Sequence, residues 1–428
     1  MTNKSKDYIV FFISLVAFKF TLEYSYYFIL SNVFSSVGYI LDINITRYLF
    51  SWLLYILSFL LLKPRFNYVK DYFFLTAVLG VIAPLLVLWG LDYNRADFPV
   101  LINFLAIFLI YFSYIFFFNN RGFKLPLVKN GKSISIISSV ILIIFLLIWY
   151  PISGARYNIS FANVYDYRGA NAELSAFGFF AYLTTWIYKV FAVFLLAYSL
   201  LKKRYFFSIF LFITFILFYM ANTHKSVFFT PFLVLSFWYY FNRYNNLYVV
   251  PFGFSILILS SIISYYFLDD IWMTALFPNR VFEIPAHLTF KYFEFFQNNN
   301  FLLFSNSFLK NFIEYPYDRD LANLISNYNG DPDSAANNGF ISSAYAQGGV
   351  TVVFSYSIII GFILSVIDKM VKKKEIKAWF ALVILMVPLR DFLISIDFLT
   401  TLLTGGMIWG LILIYMVRNK SNNMDLEE

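Results

Sequence analysis

Long apolar segments recur along almost the whole chain and alternate with shorter polar connections. A helix needs about 20 mostly apolar residues to cross the hydrocarbon core of a bilayer. The candidate segments are residues 8–30, 43–62, 72–90, 99–118, 134–151, 174–200, 205–221, 226–241, 248–267, 345–367, 377–394 and 398–417. This pattern predicts an all-α polytopic membrane protein with about twelve transmembrane helices, forming a single integral membrane domain over residues 1–428.

Two connections are much longer than the others, residues 151–173 and residues 269–344. Long connections in compact proteins usually carry function or are disordered. The second keeps an aromatic, partly periodic pattern, which predicts short amphipathic helices. We therefore expect an active site to be built mainly from these two connections.

The composition agrees with a membrane protein. Hydrophobic residues make up 61% of the chain and charged residues only 13%, whereas soluble domains carry roughly 25% charged residues. The absence of cysteine excludes disulfides, iron–sulfur clusters and thiolate zinc sites. Because the two histidines lie in different segments, no histidine-based metal site is expected.

The placement of the cations explains the net charge of +8. Most of the 32 lysines and arginines fall in alternate connections, and cytoplasmic connections are the ones that retain cations. The pattern therefore places both termini in the cytoplasm and both long connections on the outer side of the membrane. The positive charge is a topology signal, and nucleic acid is not an expected partner.

The segment PNRVFEIPAHLTFKYFEFF, residues 278–296, has the densest cluster of ionisable residues. Steps of three or four residues place its charged and imidazole side chains on one helical face, with aromatic and aliphatic residues on the other. These residues are Arg280, Glu283, His287, Lys291 and Glu294. Two interpretations stand. The stripe is an ordinary solvated face of an interfacial helix, or its arginine holds a diphosphate while the imidazole takes a proton from a hydroxyl.

Further cations extend the candidate site. Arg319 lies between two aspartates and either binds phosphate or is neutralised by those neighbours. Lys225 and Arg390 lie near the outer ends of predicted helices, where they either hold phosphate or make structural contacts. Lys19 and Glu23 lie deeper and four residues apart, which predicts that they pair with each other.

The first long connection sets Arg156 and Arg168 among tyrosines, including Tyr167. Aromatic rings stack on apolar sugar faces and polar groups bind hydroxyls, so this is either a sugar-binding surface or an ordinary polar loop. The second connection ends in DPDSAANNGFISSAYAQGGV, where Asn337 and Asn338 offer amides at the membrane surface. That segment is either the floor of an outward-facing site or a plain helix start in which glycine allows close packing.

The layout resembles the bacterial O-antigen polymerase family, the Wzy-like oligosaccharide repeat-unit polymerases. About twelve helices, long outer connections after the fifth and the ninth, the segment NRVFEIPAH and the entry AYAQGGVTVVFSYSIIIG carry the resemblance. It implies a GT-C-like, metal-independent glycosyltransferase without a cofactor, located in the bacterial inner membrane with its long loops in the periplasm. Its partners would be membrane lipid and an oligosaccharide on undecaprenyl diphosphate, and the family commonly works with a chain-length regulator protein.

The resemblance also implies roles for the candidate residues. Arg280 would bind the diphosphate, assisted by Arg319, Lys225 or Arg390. Either His287 or Glu283 would be the catalytic base. The glycan-binding residues would be Arg156, Arg168, Tyr167, Asn337 and Asn338. The alternatives are an O-antigen ligase, which shares the donor, and a transporter that flips lipid-linked oligosaccharides.

Overall fold

The structure, a computed structural model, describes residues 3–120, 126–161, 167 and 178–419. Its regular secondary structure is helical, and the described residues contain no β-strand. With their π-helical and 3-10 turns included, the helices are α1 (Ser5–Val33), α2 (Ile45–Leu61), α3 (Val69–Leu91), α4 (Asp97–Asn119), α5 (Gly131–Ile152), α6 (Phe179–Leu201), α7 (Tyr205–Asn222), α8 (Lys225–Arg243), α9 (Val249–Leu268), α10 (Ile284–Asn298), α11 (Leu321–Tyr328), α12 (Phe340–Lys372), α13 (Ala378–Ile394) and α14 (Phe398–Met416).

Within the described residues, nine helices are long and apolar enough to cross a membrane: α1, α3 to α7, α9, α12 and α14. The chain is therefore a multi-pass, all-helical membrane protein, as the apolar pattern predicts. The other three predicted spans, residues 43–62, 226–241 and 377–394, correspond to α2, α8 and α13. The count of twelve spans stays a prediction.

The chain divides into two compact units. The first comprises Met1–Asn119, Asn246–Ser365 and Arg390–Phe398. The second comprises Asn120–Asn245, Val366–Leu389 and Leu399–Glu428. The first unit contains the π-helical segment Ala275–Glu283, α10 and α11, which belong to the second long connection.

In the first unit, a buried ion pair lies between apolar helices. Lys19 and Glu23 of α1 pair with each other, as their spacing predicts. Lys19 also donates to the Ser51 hydroxyl of α2 over 3.2 Å, and its ammonium lies 4.2 Å from the centre of the Trp52 ring. The Tyr48 hydroxyl donates to Glu23 over 3.1 Å. Because a charge at membrane depth is costly, this full set of partners fixes α1 against α2.

Connections predicted to lie on one side of the membrane contact one another. At the predicted outer side, the Asp42 amide donates to the Leu91 carbonyl over 2.9 Å and the Tyr93 amide donates to the Asp42 carbonyl over 2.8 Å. At the predicted inner side, the Leu247 amide donates to the Pro64 carbonyl over 2.8 Å. Such contacts are expected when successive helices cross the membrane in opposite directions, because their connections then lie alternately on its two sides.

Helix α12 is interrupted at Gly348 and Gly349, whose backbone angles are not helical. Gly349 has a φ of 66°, a region that favours glycine. The carbonyls released by the interruption accept from the long connection: the Leu302 amide bonds Ala346 and the Leu303 amide bonds Gln347, each over 2.9 Å. The break therefore anchors the middle of the second long connection to the last turn of the helical segment Phe340–Gln347.

Gly339 lies where α12 starts against the end of α13. A Cβ at this position would lie 2.0 Å from the Leu393 carbonyl oxygen, which is part of a helical backbone and cannot move alone. Glycine is required here for close approach of the two backbones.

We expect Gly339→Ala to lower the free energy of unfolding by about 1–3 kcal/mol, the usual cost of overpacking. Gly253→Ala is the matched control, because a Cβ on Gly253 meets nothing within 4 Å. Thermal unfolding of the purified proteins in detergent measures both. Equal unfolding midpoints for the two variants would contradict the close approach at Gly339.

Candidate functional site

The candidate site lies in the first unit, where the second long connection packs on the predicted outer ends of α1 to α4. The chain enters it through the π-helical segment Ala275–Glu283 and continues as α10, with Pro285 in the first turn. Proline is tolerated there because the first amide groups of a helix have no partner within it. The wider π-helical turns change which residues face inward.

The structure contradicts the expectation of one solvated charged face. Arg280 is exposed, but Glu283 and His287 are buried, with exposed fractions of 0% and 2%. Lys291 is half-buried and donates to the exposed Glu294 over 3.1 Å. The regular α-helical spacing assumed from the sequence does not hold before Ile284, so the five residues do not share a surface.

Arg95, on the short connection between α3 and α4, joins three parts of the site. Its Nε donates to the Asp92 carboxylate over 2.8 Å and its Nη2 donates to the Gly38 carbonyl over 2.6 Å. Its Nη1 lies 3.1 Å from Nδ1 of His287. The Arg95 side chain is only 9% exposed, so these contacts satisfy a buried cation.

The contacts of His287 define its tautomer. Arginine only donates, so Nδ1 accepts from Arg95, and the ring proton resides on Nε2, which donates to the Asn329 side-chain oxygen over 2.9 Å. Burial, reinforced by the positive charge of Arg95, lowers the pKa of His287 to about 4. The imidazole is therefore neutral near pH 7, with both nitrogens occupied.

Glu283 lies one helical turn before His287 and is the least satisfied polar group of the site. Neither of its carboxyl oxygens has a hydrogen-bond partner among the described residues. Burial raises the pKa of Glu283 well above its ordinary value, and the nearby Arg95 opposes that shift. Burial without hydrogen-bond partners favours the protonated form of a carboxyl.

Tyr39 completes the inner wall of the site. Its hydroxyl donates to the Asn279 side-chain oxygen over 2.8 Å, and its ring meets the His287 ring edge to face with 5.5 Å between centroids. Burial also raises the pKa of Tyr39. Tyr39 therefore stays a hydroxyl and fixes both the entering segment and the imidazole.

Arg47, at the start of α2, supports Arg95 from behind. Its guanidinium donates to the carbonyls of Tyr93 and Arg95, and it lies 3.1 Å from the Asp97 carboxylate. It also stacks on Trp89, 4.6 Å from the ring centre. The sequence pattern did not single out Arg47 or Arg95, because both lie outside the two long connections. Their position on the predicted outer side, where cations are rare, is the feature of the sequence that could have indicated them.

The predicted phosphate-binding cations of this unit have different surroundings. Arg280 and Arg319 are exposed, and their side chains make no hydrogen bond or ion pair with another described residue. Arg390 pairs with the adjacent Asp391 and is 57% exposed. Arg280 and Arg319 are thus available to an anion, whereas Arg390 already has a counter-charge.

Asn338, a predicted glycan-binding residue, is buried and holds α10 to α12. Its amide nitrogen lies 3.1 Å from the Pro285 carbonyl, 3.1 Å from the Thr289 hydroxyl and 3.0 Å from the Ser342 hydroxyl. It borders a narrow cleft that is also lined by Asn103. These contacts occupy its amide hydrogens, whereas Asn337 is exposed.

The remaining predicted residues belong to the second unit. Arg156 is exposed and Tyr167 is half-buried. Lys225 is exposed, with its ammonium 6.0 Å from the centre of the Phe161 ring. Arg168 lies outside the described residues. The roles predicted for these four residues stay predictions.

In the part of the chain that the structure describes, no group of three or more histidine, aspartate or glutamate side chains is placed to hold a metal ion. Comparison of the chain with family models, curated protein sequences and solved structures finds no match.

The buried imidazole predicts a pH dependence of stability. The pKa of His287 is about 4 in the folded protein and 6.5 in the reference state. At a pH between these two values, the imidazole is therefore protonated in the unfolded chain and neutral in the folded protein. His287 therefore destabilises the fold as the pH falls from about 6.5 to 4, by up to about 3 kcal/mol.

We expect His287→Asn to reduce the loss of stability between pH 7 and pH 4, measured by thermal unfolding at a series of pH values. His224→Asn is the control, since the other histidine is exposed. The same acid dependence in wild type and His287→Asn would refute a neutral buried imidazole.

Proposed function

We propose that the chain is a GT-C-like glycosyltransferase that joins oligosaccharide repeat units carried on undecaprenyl diphosphate into O-antigen or capsular polysaccharide. It would act from the periplasmic face of the bacterial inner membrane, with both termini in the cytoplasm. The observation that supports this best is the arrangement around α10. A buried carboxyl and a buried imidazole lie one turn apart, and the exposed Arg280 precedes them by one turn of the π-helical segment.

The reaction makes two chemical demands that this arrangement suits. The hydroxyl oxygen of the acceptor sugar attacks the anomeric carbon of the donor, and the bond between that carbon and the diphosphate oxygen breaks. The diphosphate leaves with the bonding electron pair, and the hydroxyl proton passes to a base. Cations that bind the leaving group lower the barrier because its charge grows in the transition state.

Arg280 supplies the cation, with Arg319 as a second exposed guanidinium on the same connection. A guanidinium binds phosphate oxygens through paired N–H donors, and these two side chains have no competing carboxylate partner among the described residues. Arg95 holds the start of α10 through His287, and Arg47 supports the connection that carries Arg95.

Glu283 is favoured over His287 as the base. Both nitrogens of His287 already have partners, whereas both oxygens of Glu283 remain free for a substrate hydroxyl. To act as a base, Glu283 must first lose its own proton, and the positive charge of Arg95 favours that ionised form. Since Glu283 has no exposed surface, an acceptor hydroxyl reaches it only after neighbouring residues move.

A complementation experiment tests the leaving-group site. Deleting the gene should leave surface lipid capped with a single repeat unit, and wild-type protein should restore the ladder of chain lengths on a gel. Arg280→Ala should fail to restore it at normal protein levels, whereas Lys310→Ala, an exposed cation of the same connection, should succeed. Normal chain lengths with Arg280→Ala would refute the assignment of Arg280 to the leaving group.

The deletion strain separates the alternative functions. Loss of all capping would indicate a ligase or a flippase, and an unchanged ladder would exclude polymerase, ligase and flippase alike.

Glu283→Gln separates catalysis from folding, because glutamine has nearly the shape of the protonated carboxyl. We expect an unfolding midpoint close to that of wild type and a loss of polymerising activity of about 10²- to 10⁴-fold, the usual contribution of a general base. Polymer length in the complemented strain measures the activity, and Glu314→Gln on the same connection is the control for an exposed carboxylate. Full polymerisation by Glu283→Gln would assign the base to another residue.

A further inference from the structure

The first part of the second long connection exposes large apolar side chains. Residues 301–313, FLLFSNSFLKNFI, are here called the apolar loop. Leu303 is 51% exposed, Phe308 62% and Phe312 84%. The rest of the connection, residues 314–337, instead exposes mainly charged and other polar side chains, among them Glu314, Asp318, Arg319, Asp320, Asp331 and Asp333. Because an exposed apolar patch usually marks a contact with a membrane or another protein, the two parts of the connection face different surroundings.

The backbone of the apolar loop is held in an unfavourable conformation. Leu303 and Phe304 have φ angles of 50° and 63°, in the left-handed region that residues with bulky side chains rarely adopt. Gln347 of α12 maintains this turn: its carbonyl accepts from the Leu303 amide over 2.9 Å, and its side-chain oxygen accepts from the Phe304 amide over 2.8 Å. Its side-chain nitrogen also donates to the Asn306 side-chain oxygen over 2.9 Å. The apolar loop therefore has a fixed attachment point on α12.

The level of this attachment point follows from the length of α12. Gln347 directly precedes the glycine interruption, and residues 350–367 carry no charge before Asp368. At about 1.5 Å per residue this helical stretch measures roughly 27 Å, close to the thickness of the hydrocarbon core of a bilayer. Since the charged end lies at one boundary of that core, the interruption and the apolar loop bound to Gln347 lie at the other boundary.

The apolar loop also has the properties that contact with lipid requires. It is a series of turns in which backbone groups bond one another. The Ser305 amide donates to the Leu302 carbonyl over 2.9 Å, and the Phe312 amide donates to the Leu309 carbonyl over 2.9 Å. The sequence of the loop contains no carboxylate that anionic headgroups would repel. Internal hydrogen bonds lower the cost of bringing a backbone towards the acyl chains, where water is scarce.

We propose that the apolar loop inserts into the lipid leaflet on the predicted outer side of the membrane, with Leu303, Phe308 and Phe312 below the headgroups. Lipid is favoured over a protein partner because the loop lies at the boundary of the hydrocarbon core, where transfer of these side chains out of water stabilises the inserted position. Insertion fixes the middle of the second long connection at a defined depth. The inference is independent of the proposed glycosyltransferase activity, because it rests on exposure and depth alone.

Site-directed spin labelling of the full-length protein in bilayer nanodiscs tests the proposal. The chain contains no cysteine, so a single introduced cysteine carries the only label. Power saturation measures collisions of the nitroxide with oxygen, which concentrates in lipid, and with a water-soluble nickel chelate. The ratio of oxygen to nickel collisions at Phe308→Cys and Phe312→Cys should exceed that at Asp333→Cys by at least about threefold. Asp333 is the matched control, as an exposed position in the polar part of the same connection.

Ile358→Cys supplies the reference for a lipid-facing label, because Ile358 lies within α12 and is 43% exposed. A ratio at Phe308→Cys and Phe312→Cys equal to that at Asp333→Cys would overturn the proposal. Few collisions with either reagent, together with an immobilised spectrum, would show that the loop packs against protein, such as a second copy of the chain, and would overturn the lipid assignment. If one of these variants does not fold, Leu303→Cys should give the same high ratio, and a low ratio there would also refute insertion.

Discussion

The guanidinium of Arg95 is the interaction on which the candidate site depends. A buried cation must have its donors satisfied, and Arg95 uses them on a carboxylate, a backbone carbonyl and an imidazole nitrogen from three different segments. Those contacts bring the connection after α1, the connection after α3 and the start of α10 to one point. They also set the tautomer of His287. One side chain of a short connection thus ties the start of α10 to the bundle.

The same constraint explains why the buried charges of the first unit occur as sets of partners. Lys19 has Glu23, Ser51 and an indole ring, and Arg47 has two carbonyls and the Asp97 carboxylate. Glu283 is the exception, because its carboxyl is buried without a hydrogen-bond partner among the described residues. Buried polar groups are almost always hydrogen-bonded, and a catalytic role is one of the recognised reasons for an exception.

Much of the fold was predictable from sequence, and the reason is physical. Apolar runs of bilayer length leave little choice of conformation, so the predicted segments coincide closely with the helices, and the Lys19–Glu23 pair followed from helical spacing. The burial of Glu283 and His287 was not predictable, because it depends on the π-helical turns of Ala275–Glu283. Such turns add a residue without an apolar pattern that marks them. Arg95 was missed for a different reason, since a lone arginine in a short connection has meaning only once its three partners are known.

The interruption of α12 has a consequence for the order in which the protein matures. The carbonyls of Ala346 and Gln347 are satisfied by amides from Leu302 and Leu303, which are synthesised more than forty residues earlier. Neither half of this contact is satisfied alone, because a buried backbone amide or carbonyl without a partner costs free energy. We expect the middle of the long connection to remain without its final hydrogen bonds during synthesis, until the helix that follows it has emerged and been inserted. The second long connection is therefore completed from its C-terminal side, after α2 with Arg47 and the short connection with Arg95 are already in place.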